Sequence, residues 1–117
     1  MSTPYACVLS LAALILAGLP ARADDAPYVG TWSLELGNCG AGQDNTNAPL
    51  VITSERLDQH ETHCTFKSVE GKDGDYKVAG ECMVEGSAQP ATFTLTVSGD
   101  TLTFTDAAGA RDLLRCK

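Results

Sequence analysis

The chain has 117 residues, with fifteen acidic side chains against eight basic ones and a net charge of −7. An acidic surface repels phosphate backbones and anionic headgroups, so nucleic acid and membrane surfaces are disfavoured as partners and a basic protein is favoured. One tryptophan, three phenylalanines and three tyrosines are little aromatic bulk for a core, which points to a single small domain that needs covalent staples.

Residues 1–23 differ in kind from the rest. Ala6 to Leu19 is an apolar run, Pro20 breaks it, and Ala21-Arg22-Ala23 is a small-x-small cleavage pattern. That order reads as a secretory signal peptide. The run is shorter than the roughly 20 apolar residues of a membrane-spanning helix. Met1 to Tyr5 carries no Lys or Arg, so retention as an N-terminal tether is the alternative. Cys7 stands at the start of the run, not at its end, unlike the anchor cysteine of a bacterial lipoprotein. Cleavage after Ala23 leaves 94 residues, Asp24 to Lys117, with the periplasm or the exterior as destination, and loss of Arg22 takes the charge to −8.

Four cysteines remain: Cys39, Cys64, Cys82 and Cys116. An even count in a small exported chain implies two disulfides, with three connectivities open.

Along the mature chain, Asp24, Asp25, Ala26, Pro27 and Tyr28 read as an extended arm. Trp32, Leu34 and Leu36 alternate with Thr31, Ser33 and Glu35, the pattern of a half-buried strand. Residues 37–49, GNCGAGQDNTNAP, form the longest loop, pinned by Cys39. Leu50 to Thr53 is a short strand and Ser54 to Leu57 a turn.

Residues 59–85 form a hairpin about Asp73. Pairing positions whose numbers sum to 146 sets Cys64 opposite Cys82, Phe66 opposite Gly80, Thr62 opposite Val84 and Lys67 opposite Ala79. Opposed strand residues have Cβ atoms about 4.5–5.5 Å apart, and a twisted pair closes that to disulfide range. Cys64–Cys82 is therefore predicted, and by elimination Cys39–Cys116. A second hairpin joins Thr92–Val97 to Leu102–Thr105 through Gly99-Asp100, with Val97 opposite Leu102 and Leu95 opposite Phe104. Ala107 to Ala110 turns the chain into a last strand whose register stays open. No stretch of the mature chain has a helical period. The fold class is all-β: a small antiparallel meander of about 7–8 strands closing into a barrel or a sandwich, with two disulfides.

The stretch DQHETHC, residues 58–64, most resembles chemistry. Side chains alternate along a strand, so His60 and His63 point to opposite faces and do not share one metal. They are three apart, not four as in the helical zinc motif, and Cys64 is committed to its disulfide. They remain weak metal candidates. Gln43 to Asn47 offers oxygen atoms but lacks the spaced carboxylates of a calcium loop. Thr92, Thr94, Thr96, Thr103 and Thr105 make a threonine face of the kind exposed strands favour. No nucleophile has a forced partner, so neither catalysis nor a cofactor is expected.

Gly30-Thr31-Trp32 resembles the first strand of lipocalin-like barrels, where a G-x-W element seals the floor. The format of leader, about a hundred residues, barrel and disulfides is similar to that of small exported bacterial inhibitors of proteases and lysozyme. In the alkaline-protease-inhibitor family an arm ahead of that strand enters the enzyme's cleft, and Asp24 to Val29 stands in its place. Asp106 to Arg111 lacks the Ser/Lys loop of the lysozyme inhibitors. GTWSLELGNCGAGQDNTNAPLVIT, ETHCTF and the terminal RC look like cell-envelope proteins of Gram-negative bacteria.

These readings together predict a monomeric periplasmic binding module, inhibiting a lysozyme or a secreted protease. The alternatives are a small-ligand or metal carrier and a structural envelope protein. A barrel of this size is expected to be filled by its own side chains.

Overall fold

The computed structural model describes residues 26–117. The predicted signal peptide, residues 1–23, and Asp24 and Asp25 of the predicted arm lie outside the described residues.

Eight antiparallel strands follow in chain order: β1 (Gly30–Ser33), β2 (Leu50–Ile52), β3 (Arg56–Gln59), β4 (Thr62–Lys72), β5 (Asp75–Val84), β6 (Ser87–Ser98), β7 (Thr101–Asp106) and β8 (Gly109–Arg115). Each pairs with the next, and β8 returns to β1, so the sheet is a closed barrel. Among the described residues the one helical element is a short 3-10 turn, Leu36–Asn38. No described helix is long and apolar enough to cross a membrane.

Period-two alternation builds the interior. Trp32, Leu50, Ile52, Leu57, Val78, Phe93, Leu95, Leu102 and Leu113 point inward and are buried, while the threonines between them face out. Both disulfides form as the hairpin register predicts, Cys64–Cys82 between opposed residues of β4 and β5 and Cys39–Cys116 between the long loop and the C-terminus. The β6–β7 hairpin has the predicted pairs, Val97 with Leu102 and Leu95 with Phe104.

The register of β4 with β5 departs from the predicted one beyond Phe66. A bulge at Lys67 leaves that residue unpaired and sets Ser68, not Lys67, opposite Ala79. Without the extra residue Val69 would face solvent opposite Lys77. With it, Val69 packs inward opposite Val78, which is fully buried. The turn tightens to Asp73-Gly74, both at positive φ, as a two-residue hairpin requires. At the same place Gly80 is obligatory, since an added Cβ would lie 2.5 Å from the Thr65 carbonyl oxygen.

Other boundaries also move. Arg56 and Leu57 begin a strand and do not end a turn. β6 starts at Ser87, five residues ahead of Thr92, and runs through Pro90. Proline is tolerated there because Pro90 pairs with Glu81 on one side and has no strand on the other, β7 reaching only Thr94–Ser98. In β8, Leu113 pairs with Leu102.

One end of the barrel is sealed. The Trp32 indole is fully buried, its Nε1–H donates to the Tyr28 carbonyl oxygen at 3.0 Å, and the Arg115 guanidinium lies 4.2 Å from its ring centre. Arg115 also donates to the carbonyl oxygens of Pro27 (3.1 Å) and Val29 (3.5 Å). The Tyr28 ring meets Tyr76 edge-on at 4.9 Å. Burial, with the Tyr76 phenol beside it, pushes the Tyr28 phenol above its ordinary range. Tyr28 is thus a floor plug, 2% exposed, and not part of a projecting arm. Ala26 packs against the core as well, leaving Pro27 exposed. The reason is the arginine at the far end of the chain, which fastens this segment by its backbone.

Candidate functional site

The opposite end is open. There β1 leaves the barrel at Ser33, β2 enters at Leu50, and the turns His60-Glu61, Glu85-Gly86 and Ala107-Ala108 close three hairpins. A cavity of about 290 Å³ opens at this mouth. The buried layer of Ile52, Val78, Leu95 and Leu102 lies outside its lining and separates it from the floor. So the barrel is filled by its own side chains on the floor side only, in contrast to the expectation of a full interior.

The cavity has an apolar base and a polar rim. Its base is Leu50, Leu57, Phe93, Phe104, Leu113 and the Cys64–Cys82 disulfide. Phe93 stacks on Phe104 at 5.0 Å and meets Phe66 edge-on at 5.9 Å, so the ring wall is braced from behind. Gln59, Thr62, Gln89, Thr92, Asp106 and Arg111 supply the polar atoms, and Leu34, 60% exposed, stands at the lip. The unpaired half of β6 flanks the opening. Its inward positions carry Ala91 and Gln89, small and polar, where Phe93 and Leu95 fill the barrel further in.

Asp106 and Arg111 form an ion pair at 2.9 Å, and the guanidinium lies 5.0 Å over the Phe104 ring. Burial works to raise the Asp106 carboxyl. The Arg111 guanidinium and the N–H groups of Ala108 and Gly109 outweigh it and hold the carboxyl below its ordinary range.

The two histidines are apart. His60 is in the β3–β4 turn at positive φ, not on a strand, and its Nδ1–H donates to the Gln43 carbonyl oxygen at 3.0 Å. His63 is on β4, where its Nδ1–H donates to Asp58 Oδ1 at 2.7 Å. Among the described residues no three His, Cys, Asp or Glu side chains are grouped to hold a metal ion. Gln43 spends its amide on tying the long loop down, donating to the Pro49 carbonyl and accepting from the His60 N–H, while Asn45 accepts from the Asn47 N–H. Of the threonine face, Thr103 donates to Asp112 at 2.6 Å.

Asp58 accepts from both Arg56 and His63. Burial favours its neutral form, yet these two donors outweigh burial and its carboxyl is held low. A carboxyl lowered by folding stabilises the protein above its unfolded pKa, and that contribution disappears as pH falls through the folded value. Asp58→Asn is therefore expected to melt earlier than the parent at pH 6 and together with it near pH 2. A gap that persisted at the acid end would refute the ionic origin.

Sequence reading missed Gln59, Gln89, Ala91 and Arg111 as cavity residues. The available signal was the alternation of β6 read backwards from Phe93, which Pro90 interrupts. No protein-family model matches the chain, and neither a curated protein nor a solved structure matches it.

Proposed function

We propose that the chain is an exported, non-enzymatic binding module of the periplasm, and that the cavity at the barrel mouth receives an apolar group of its ligand. The leader-like N-terminus and two disulfides, which persist in oxidising compartments, support the location. The cavity carries the binding reading: a concave, mostly apolar site with a few convergent polar groups is how small-molecule sites are built. An engineered cavity of about 150 Å³ holds benzene, so this one accommodates roughly ten carbon atoms.

The test is a titration with 1-naphthylamine, a fluorophore of ten carbon atoms that is neutral at pH 7. Saturable one-to-one binding is expected, lost in Ala91→Trp and in Gln89→Trp, with both variants still melting cooperatively. Binding that neither variant weakens would place the probe elsewhere and overturn the assignment.

Inhibition of a basic hydrolase is the second reading, favoured by the carboxylates around the mouth and by the exposed Leu34 beside it. Docking by an N-terminal arm is not favoured, since residues 26–28 are fastened to the floor. Slowing of a lysozyme at low salt, relieved by salt, is the expected sign, and no slowing of any lysozyme or secreted metalloprotease tested would remove it.

A further inference from the structure

Charge is divided unevenly between the two ends of the barrel. At the sealed end Glu55, Asp73, Asp75 and Asp100 are matched in number by Arg56, Lys72, Arg115 and Lys117, and Asp100 pairs with the last two. The open end carries Glu61 and Glu85 in its hairpin turns, Asp44 in the loop that Gln43 ties to His60, and Asp106 on the cavity rim. Among the described residues Arg111 is the one lysine or arginine there, and Asp106 already neutralises it. Among the described residues Asp44, Glu61 and Glu85 have no ion-pair partner, and all three are exposed. Half of the net charge of −6 carried by the described residues is thus gathered around an apolar hole.

Resting on the cavity reading above, we infer that the ligand is an amphiphile with a cationic head: an apolar body of roughly ten carbon atoms in the cavity and an ammonium or guanidinium group among the carboxylates of the turns and loop at that end. An anionic head finds no free lysine or arginine among the described residues of this mouth. It would have to displace Asp106 from Arg111, a charge-assisted pair whose carboxylate is further held by two backbone N–H groups. A cationic head needs no such exchange. It also keeps its water, because Glu61 and Glu85 stand on exposed turns, so little desolvation opposes the attraction.

Competition against bound 1-naphthylamine tests this with three ten-carbon chains differing only in the head: decyltrimethylammonium, decanol and decanoate, each below its micellar concentration. At about 10 mM salt the cation is expected to displace the probe at a concentration about tenfold lower than decanoate, with decanol between them. At about 0.5 M salt, where the screening length is only a few ångströms, the preference is expected to shrink to about twofold. Glu61→Gln/Glu85→Gln is expected to narrow the low-salt preference while leaving the affinity for decanol unchanged. Equal midpoints for the three heads, or a tighter decanoate, would overturn the cationic assignment and leave the cavity standing. Failure of the probe itself to bind would overturn both.

Discussion

Cys39→Ser/Cys116→Ser is expected to lose about 4–5 kcal/mol, the loop-closure entropy of a bridge spanning 77 residues. That is of the order of the whole stability of a small domain. The position of the bridge makes the loss structural as well as entropic. β4 and β5 are joined by ten register pairs, but β1 and β8 by two, Trp32 with Arg115 and Ser33 with Leu114. The closing seam is therefore as thin as that of β2 with β3, also two pairs, but lacks the tight turn that joins those strands, and Cys39–Cys116 lies directly beside it. The Cys64–Cys82 bridge, spanning 18 residues within a hairpin that its own ladder holds, contributes about 3 kcal/mol by the same reasoning. Urea unfolding of the double-serine variant, with hydrogen exchange on β1 and β8, checks this. A loss below about 1 kcal/mol, or exchange no faster at the seam than in β5, would show that the ladder alone closes the barrel.

Much of this architecture was legible because strands with one buried face write their register into the chain. Val97, Leu95, Leu102 and Phe104 share one face in the observed pairing, and a slip of one residue would turn one strand's two to solvent. The cysteines 64 and 82 were readable for the same reason. The bulge at Lys67 was not, because one unpaired residue has no composition of its own and is visible only through Val69, which needs it to reach the interior. The long β6 was masked by Pro90, an ordinary sign of a strand's end that here marks an edge without a neighbour. The cavity was hidden for a third reason. It is a shortage of side-chain volume where Ala91 and Gln89 follow the inward parity of Phe93, and volume is summed over strands remote in sequence. The floor depends on Arg115 meeting residues 27–32 across the length of the chain, so Tyr28 looked free although it is nearly inaccessible.

Removing the floor tests that last dependence most directly. Trp32→Ala is expected to cost about 3–5 kcal/mol, the usual range for deleting a fully buried indole. It removes three contacts together: the packing of the ring, the donor to the Tyr28 carbonyl, and the surface on which Arg115 rests. Since a loss of this size can unfold a small domain, Arg115→Lys serves as a milder probe. Lysine keeps the charge beside Asp100 but cannot lie flat on the indole while donating to Pro27 and Val29. About 1 kcal/mol is expected from the lost stack, read by thermal melting. Trp32 is the chain's one tryptophan, so its emission reports the floor alone, and a red shift in Arg115→Lys would mark water reaching the ring. Binding of the neutral fluorophore should survive in Arg115→Lys, because the layer of Ile52, Val78, Leu95 and Leu102 separates floor from cavity. A red-shifted emission with binding intact would establish that the two ends are independent, one end holding the barrel shut and the other left to bind. Loss of binding together with the shift would mean that the floor sets the shape of the mouth through that layer.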